Sequence, residues 1–281
     1  MQDTRQLKTL LGHQITVFNN DHVGDKIALN GLYEKENVLF LLDLLKQIPA
    51  PVVLDIGANI GNHTLAFATC AAHVYAFEPI PAIYALLSKN VEQNHLNNVT
   101  ACNFALSDTA GNATIHMVQE GNFGASSFDK RSEGVEAVVV QKVTGDSFVT
   151  DNTIDRLDFV KIDVEAHEVF VLRGLMQTLR KHLPFITMEW NDPLTIERLN
   201  GSAEMQFLLE HYDIQVLGSN YDRGFWLGRP FAFVRRKLTR LLQPRKVVLY
   251  PFNPTRLYKN LLLIPNGKKV RPETLATTAA E

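Results

Sequence analysis

The sequence predicts an α/β fold in which a mostly parallel, doubly wound sheet is covered by helices on both faces. Three observations predict this class. Short apolar segments alternate with amphipathic segments from residue 34 to residue 217, the apolar run 52–54 ends in a glycine-containing turn, and the run 74–77 ends in an acid. Alternating strands and helices are typical of parallel sheets, which bind ligands at the carboxyl ends of their strands.

The elements follow in order from their periodicity. Two alternating segments, around 15–18 and 26–29, predict a hairpin in an N-terminal extension, residues 1–33. Apolar residues at 38, 41, 42 and 45 share one face of a helix predicted at 34–48. Further helices are predicted at 61–70, 81–94 (beginning with Pro81), 167–180 and 203–211, and strands at 52–56, 73–77, 99–104, 112–118, 136–143, 157–162, 184–189 and 213–217.

Composition places the chain among ordinary globular proteins. Its 281 residues are 46% hydrophobic and 21% charged, and it contains no run of 18 apolar residues that would span a membrane. The N-terminal residues lack the form of a signal peptide. Cys70 and Cys102 fall in a predicted helix and strand, where small core residues are expected rather than a disulfide or a metal site. We therefore expect a cytoplasmic protein.

Charge is distributed unevenly along the chain. Residues 1–220 contain 15 Lys and Arg against 27 Asp and Glu, whereas residues 221–281 contain 13 against 3. We expect residues 34–219 to form the main domain and residues 220–281 to form a basic extension that completes the sheet or packs on it. A basic tail on an acidic body suggests either an anionic partner or pairing with the body itself.

Within this extension, residues 225–246 alternate aromatic and aliphatic residues with basic ones. The apolar residues at 231, 234, 238 and 241 would share one face of a helix, which predicts peripheral contact with an anionic membrane surface. A helix packed on the core is the alternative, and nucleic-acid binding is less favoured.

The segment from Val52 to Glu78 predicts a nucleoside-cofactor site. Gly57 and Gly61 allow the backbone to approach a ligand closely, and Glu78 follows the neighbouring strand, where an acid accepts hydrogen bonds from a ribose diol. Asn59 stands where a dinucleotide fingerprint would have another glycine. Asp55 would repel a pyrophosphate but could hold, directly or through water, the ammonium of a methionine moiety. The pattern therefore favours S-adenosylmethionine over NAD.

The sequence resembles the FkbM-type S-adenosylmethionine-dependent methyltransferases, which have a Rossmann-like class I fold. Four ordered motifs carry the resemblance, and one departure is Ala166, where the family usually has glycine. The motifs are VVLDIGANIGNHTLAFA (52–68), YAFEPIPAIYALLSKNVEQN (75–94), ALSDTAG (105–111) and DFVKIDVEAHEVFVLRG (158–174). The resemblance implies methyl transfer, usually to a hydroxyl oxygen, on substrates such as sugars and natural-product scaffolds.

The resemblance also implies a cofactor-binding set. Asp55 would support the glycine turn, and Glu78 would bind the ribose hydroxyls. The residues expected against the methionine part are Gly57, Asn59 and Gly61, and those expected near the adenine are Asn103, Ala105 and Ser107. For Asn103 and Ser107, ordinary turn chemistry is an equal alternative.

The catalytic groups should follow the predicted strand 157–162. Asp163 and Glu165 would share a face if that strand continues, and His167 has an ordinary pKa that suits a general base. Acids in the first turn of a helix also complement its dipole, which is the plain alternative for Glu165 and Glu168.

Three further observations bear on the chemistry. Glu189, Asn191 and Asp192 follow strand 184–189 and could hold a divalent cation together with Asp163, but their spacing is unspecific and no metal site is predicted. The chain lacks the (N/D)-P-P-(Y/F/W) motif of amine methylation and a cysteine nucleophile near residue 163, so the acceptor atom should be oxygen. The loop 121–128 suits either a lid over the site or a plain hairpin connection.

These observations predict an O-methyltransferase that acts on a hydroxyl, most simply of a saccharide or lipid-linked glycan precursor. O-methylation of a small natural product is the first alternative. An NAD-dependent oxidoreductase and a non-catalytic nucleoside-binding module are the alternatives from other classes.

Overall fold

The structure is a computed structural model that describes residues 3–117, 127–129, 137–220 and 246–270. The strands in these ranges are β1 (Thr4–Lys8), β2 (Gln14–Phe18), β3 (Val52–Ile56), β4 (His73–Phe77), β5 (Val99–Cys102), β6 (Ala105–Ser107), β7 (Gly111–His116), β8 (Ala137–Thr144), β9 (Phe159–Ile162), β10 (Phe185–Trp190), β11 (Tyr212–Ser219), β12 (Val247–Pro251) and β13 (Tyr258–Pro265). The helices are α1 (His22–Asn30), α2 (Lys35–Leu45), α3 (Asn62–Ala68), α4 (Pro81–Gln93), α5 (Gly145–Asp151), α6 (Glu168–Gly174), α7 (Met176–His182), α8 (Pro193–Leu199) and α9 (Ala203–His211).

The central sheet has eight strands in the order β12-β11-β13-β10-β9-β3-β4-β5. The five strands from β10 to β5 are mutually parallel, and β13 is antiparallel to both of its neighbours, β10 and β11. The predicted α/β class with a mostly parallel sheet is therefore confirmed. Two smaller sheets, β1-β2 and β6-β8-β7, lie outside it.

Strands β3 and β9 are buried on both faces, which explains their continuous apolar runs. Leu54 and Ile162 belong to one hydrophobic cluster, whereas Val53 and Phe159 belong to the cluster on the opposite face. The carboxyl ends of these strands are thereby fixed side by side at one edge of the sheet. Among the helices in the described ranges, none combines the length and apolarity that a membrane span requires.

The N-terminal hairpin differs from the predicted one. Its strands are β1 and β2, and the predicted second strand at 26–29 lies in helix α1 instead. Asp21 caps this helix by accepting a hydrogen bond from the Gly24 amide, and Gly31 ends it in the left-handed conformation. The caps and the helical spacing of buried Val23 and Ile27 outweigh the short alternating pattern.

Two other predicted elements are divided. The predicted strand 99–104 ends as β5 at Cys102, and β6 then pairs in a different sheet. The predicted helix 167–180 breaks at Leu175 into α6 and α7. Gly174, at the end of α6, packs so closely that an added Cβ would lie 1.9 Å from the Ser107 carbonyl oxygen.

Candidate active site

A cleft of about 900 Å³, open at its mouth, lies at the carboxyl ends of β3, β4, β9 and β10. Its walls come from the N-terminal extension, the glycine turn after β3, the acid turn after β4, the β6–β7 region and the segment after β9. The lining residues are Val23, Tyr33, Ile56, Gly57, Asn59, Phe77, Glu78, Pro79, Ile80, Ile83, Ala105, Leu106, Ile115, Phe128, Asp163, Val164, Glu165, His167 and Glu189.

The turn after β3 is held in a left-handed conformation at Gly57 (φ 77°), Asn59 (φ 52°) and Gly61 (φ 96°). An added Cβ on Gly57 would lie 1.8 Å from the carbonyl oxygen of Asp163, so only glycine fits between the two strand ends. Gly57 and Asn59 line the cleft, whereas Gly61 begins helix α3 and packs against Leu87. The turn therefore brings bare backbone to the floor of the cleft.

Glu78 is buried at the end of β4, and each of its carboxylate oxygens accepts a backbone hydrogen bond. Its Oε2 accepts a hydrogen bond of 3.1 Å from the Asn59 amide, and its Oε1 accepts one of 2.9 Å from the Ile80 amide. Burial raises the pKa of this carboxyl to about 7 despite these two bonds. Each carboxylate oxygen accepts more than one hydrogen bond, so the arrangement fits the expected contact with two ribose hydroxyls.

Binding of S-adenosylhomocysteine should weaken as pH falls through 7. Because the folded-state pKa of Glu78 is raised, a growing fraction of the carboxyl is protonated between pH 8 and pH 6, and the protonated form is the weaker acceptor for the diol. Calorimetry should show a Kd about tenfold higher at pH 6 than at pH 8. Glu78→Gln should bind weakly with no such dependence, and an equal pH dependence in that variant would contradict the assignment.

A buried ammonium lies beneath the turn. Asp55 and Lys161 are register neighbours on β3 and β9, and Lys161 Nζ lies 3.2 Å from both Asp55 Oδ1 and Asp163 Oδ2. It also donates a hydrogen bond of 3.1 Å to the Gly57 carbonyl oxygen. Burial alone would lower the pKa of Lys161, but Asp163 and Asp55 raise it above its ordinary value. One cation thus holds the turn, Asp55 and Asp163 together.

This arrangement changes the expected role of Asp55. Its side chain is fully buried and accepts a hydrogen bond of 2.6 Å from Thr64 Oγ1, and it does not line the cleft. It therefore supports the turn, as the resemblance implied, and does not reach into the cleft toward a methionine ammonium.

The carboxyl groups of Asp163 and Glu189 meet where β9 and β10 end. Burial would raise the pKa of Asp163, but the charge of Lys161 lowers this pKa below its ordinary value. Glu189 also hydrogen bonds to the Asp163 carboxyl. Burial and the charges of Asp163 and Glu165 raise the pKa of Glu189 well above its ordinary value. At neutral pH the pair therefore holds one proton, on Glu189, beside an ionised Asp163.

The strand does not continue to Glu165, so the predicted shared face with Asp163 is wrong. β9 ends at Ile162, and Glu165 and Ala166 both adopt positive φ, 50° and 71°. Glu165 nevertheless lines the cleft because the turn carries it back toward the mouth. The positive φ at Ala166 is a conformation that glycine adopts without strain, which fits the departure from the family pattern expected at this position.

His167 lines the cleft in an apolar setting. Its ring lies between those of Phe128 and Phe170, with centroids 4.2 and 4.6 Å away, and its Nε2 lies 3.0 Å from Ser107 Oγ. Burial lowers the pKa of His167 to about 4, so the ring is neutral at pH 7. A ring held in this way positions its neighbours more readily than it accepts a proton.

Two of the three residues expected near the adenine lie outside the cleft lining. Asn103 donates hydrogen bonds of 3.0 Å to the carbonyl oxygens of Glu78 and Pro79, which fixes the turn after β4. Ser107 is fully buried against His167. Ala105 does line the cleft. The turn-chemistry alternative thus describes the observed contacts of Asn103.

Residues 127–129 cross the site as a strap, and Arg198 holds them. Arg198 makes a bidentate pair with Asp129 at 2.7 and 2.8 Å and donates to the Ala166 carbonyl oxygen at 2.8 Å. Ser127 Oγ donates to the Glu165 carbonyl oxygen at 2.9 Å. Phe128 is thereby held against His167. Most of the loop 121–128, expected to be a lid or a hairpin connection, lies outside the described residues.

Arg198→Ala should destabilise the fold by about 1 kcal/mol, because it removes a partly buried bidentate pair. Urea denaturation would measure the change, and hydrogen exchange should increase in residues 127–129 and 165–166. Arg156→Ala is the matched control, since Arg156 is half exposed and pairs with Asp158 away from the cleft. Equal losses in the two variants would contradict a holding role for Arg198.

Several contributors to the site were not predicted. Lys161 had a readable signal, a single lysine inside an apolar strand, although the sequence did not show that it pairs with Asp55. Tyr33 had no such signal in the sequence, because its position in the cleft depends on Asn62. The side chain of Asn62 exchanges hydrogen bonds of 3.0 and 3.1 Å with the Tyr33 backbone. Among described residues, no cluster of three or more His, Cys, Asp or Glu has the arrangement of a metal site. Asp192 instead caps α8.

Comparison with known proteins matches the sequence to a family profile and to curated relatives. The profile of the methyltransferase FkbM domain matches residues 55–240. The chain is 28% identical over 182 residues to the hexuronic acid methyltransferase AglP of Haloferax volcanii, covering 63% of this chain and 70% of that protein. It is 25% identical over 203 residues to the 2-O-methyltransferase NoeI of Sinorhizobium fredii, covering 66% and 79%.

Solved structures with a similar chain path include a methyltransferase FkbM from Methylobacillus flagellatus KT, with a TM-score of 0.45 and 13% identity. That alignment covers 76% of this chain and 44% of the other. The O-methyltransferase TomG from Streptomyces achromogenes, in complex with SAM, has a TM-score of 0.42 and 11% identity, with 87% of each chain covered.

Proposed function

The chain belongs to the methyltransferase FkbM family and is an S-adenosylmethionine-dependent methyltransferase, and from this premise we propose that it methylates a hydroxyl group of a saccharide or of a lipid-linked glycan precursor. One observation carries the proposal: a single cleft has the buried carboxyl of Glu78 in one wall and the carboxyl of Asp163, whose pKa is lowered, in another. The relatives named for hexuronic acid methylation and for 2-O-methylation support a saccharide acceptor.

The residues present fit the cofactor. Glu78 would accept the ribose hydroxyls, Gly57 and Asn59 would lie against the methionine part, and Ala105 would lie near the adenine. The absence of a side chain at Gly57 allows the ends of β3 and β9 to approach closely, since a Cβ would collide with the Asp163 carbonyl oxygen. When bound, S-adenosylmethionine supplies a methyl group activated by its sulfonium.

The protein must orient the acceptor oxygen and take its proton. We assign proton acceptance to Asp163, because Lys161 keeps it ionised at neutral pH and it lies at the mouth of the strand ends. Glu165 lines the same wall and would bind further acceptor hydroxyls. His167 is a positioning residue in this proposal, since burial keeps it neutral and Ser107 occupies its Nε2.

The first test is calorimetric titration with S-adenosylmethionine, S-adenosylhomocysteine and NAD. We expect Kd values in the micromolar range for the two sulfur ligands and at least a tenfold loss in Glu78→Ala, which removes two charge-assisted hydrogen bonds. Release of S-adenosylhomocysteine in the presence of glycosides then tests the acceptor class. Binding of NAD alone, or turnover of amines but not of hydroxyls, would contradict the proposal.

We also propose that residues 225–246 bring the enzyme to an anionic membrane surface. All but residue 246 lie outside the described residues, so the support is the basic and apolar pattern of the sequence. The full chain should sediment with vesicles that contain phosphatidylglycerol and not with phosphatidylcholine vesicles. Replacement of Arg235, Arg236 and Lys237 by Gln should abolish this difference, and equal binding to both vesicles would contradict the proposal.

A further inference from the structure

One end of the cleft is rich in carboxyl groups, and its described lining contains no cationic side chain. Asp163, Glu165 and Glu189 line it together with Tyr33, and none of the described residues in the lining is Lys or Arg. Lys161 lies below the floor, where Asp55, Asp163 and the Gly57 carbonyl oxygen occupy its donors. This end therefore presents hydrogen-bond acceptors and net negative charge to whatever lies beside Asp163.

Glu189 is the unusual member of this group. The register of β10 against β13 shifts between Glu189 and Trp190, and this irregularity lies where the side chain enters the cleft. Its carboxyl hydrogen bonds to Asp163. A carboxyl group accepts more hydrogen bonds than this one contact, and because Glu189 lines the cleft, a hydroxyl of a ligand can supply another.

The opposite wall at this end is aromatic. Asn62 accepts a hydrogen bond from the Tyr33 amide and donates one to the Tyr33 carbonyl oxygen, which fixes this backbone. Lys259 Nζ lies 5.4 Å from the centroid of the Tyr33 ring. Lys259 in turn pairs with Glu34 at 2.6 Å. The ring of Tyr33 is fixed in the wall opposite the carboxyl groups. This arrangement suits a ligand with one apolar face and a rim of hydroxyl donors.

We infer that Glu189 selects a neutral polyhydroxyl acceptor over a carboxylated one, by accepting a hydrogen bond from the hydroxyl adjacent to the one that is methylated. The inference rests on the proposed function and narrows its substrate class. Asp163 and Glu189 are in hydrogen-bond contact, so the two hydroxyls that they bind would be neighbours. An acceptor carboxylate at this place would offer no proton to Glu189 and would face the charge of Asp163, which is unfavourable.

The first arm of the test compares matched acceptors. Methyl glucoside, galactoside and mannoside are each paired with the corresponding methyl glycosiduronate, and release of S-adenosylhomocysteine is measured for each. We expect kcat/KM at least tenfold higher for the neutral member of any pair that reacts. Turnover of uronates alone would overturn this inference and leave the proposed function standing. No turnover of any pair would overturn the saccharide assignment and this inference with it.

The second arm uses two variants with the best neutral acceptor. Glu189→Gln keeps one donor toward Asp163 and one acceptor toward the substrate, so KM should stay within about threefold of wild type. Glu189→Met keeps the volume without hydrogen bonding, and KM should rise about tenfold while discrimination against uronates is lost. Kd for S-adenosylhomocysteine should be unchanged in both variants.

Two results of this arm would overturn the role of Glu189. If Glu189→Gln is impaired as much as Glu189→Met, the residue acts as a carboxylate rather than as a hydrogen-bonding acid. If either variant weakens the binding of S-adenosylhomocysteine instead of the binding of the acceptor, Glu189 serves the cofactor. Urea denaturation identifies a merely structural loss, which would lower stability in Glu189→Met without changing the ratio between neutral and carboxylated acceptors.

Discussion

Replacement of Gly57 by alanine is expected to destabilise the protein by at least about 3 kcal/mol and to abolish cofactor binding. Two effects add at this position. A left-handed backbone costs a non-glycine residue about 1–2 kcal/mol, and the new Cβ would lie 1.8 Å from the Asp163 carbonyl oxygen, which forces β3 and β9 apart. The same displacement would disturb the carbonyl of Gly57 that Lys161 holds.

Gly201→Ala is the matched control for this variant. Gly201 has nearly the same backbone conformation (φ 73° against 77°), but its Cβ would meet nothing within 4 Å. The loss of stability in Gly201→Ala should therefore come from the left-handed backbone conformation alone, about 1–2 kcal/mol. Urea denaturation followed by the fluorescence of buried Trp190 measures both variants. Equal losses would show that the contact between the strand ends is not as close as described.

Asp163→Asn is expected to lower kcat by about 10²- to 10⁴-fold, the usual contribution of a general base. The substitution keeps the size of the side chain and leaves Lys161 paired with Asp55, so folding and S-adenosylhomocysteine binding should be nearly unchanged. Because Lys161 lowers the pKa of Asp163, wild-type kcat should not depend on its titration above about pH 6. Release of S-adenosylhomocysteine from pH 6 to pH 9 measures both effects.

The control for Asp163 is Asp192→Asn. Asp192 follows the adjacent strand but caps helix α8 through the Leu194 amide, and Asn caps a helix about as well as Asp. Its kcat should stay within twofold of wild type. If Asp163→Asn were equally active, proton removal would lie with another group, and Glu165→Gln would be the next variant to measure.

The segment from β3 to Glu78 could be predicted because all of its structural signals lie close together in the sequence. A buried strand, a glycine turn, a helix and a second strand follow one another without interruption, so spacing alone places Gly57, Asn59 and Glu78 at one edge. The parallel sheet follows from the same alternation. The wrong prediction of a hairpin strand at 26–29 also comes from relying on local sequence. An apolar pattern of four residues fits a strand and a helix equally well, and only the capping residues distinguish the two.

The remainder of the site depends on contacts between residues that are far apart in sequence. Lys161 faces Asp55 only because β9 lies beside β3, and Glu189 faces Asp163 only because β10 lies beside β9. The break after Ile162 also could not be read from composition, because the positive φ at Glu165 is imposed by its surroundings. The spacing of residues in the sequence therefore predicted which residues lie at the strand ends, but not which side chains they contact there.

The position of β13 has a consequence for biosynthesis. This strand lies between β10 and β11, although both precede it in the sequence, and it carries the Lys259 that pairs with Glu34 behind Tyr33. During translation, the edge of β10 stays open until residues 258–265 have left the ribosome, and an open edge invites pairing with another chain. The contacts of Lys259 with Glu34 and with the ring of Tyr33, which lines the cleft, therefore form late in the synthesis of each molecule.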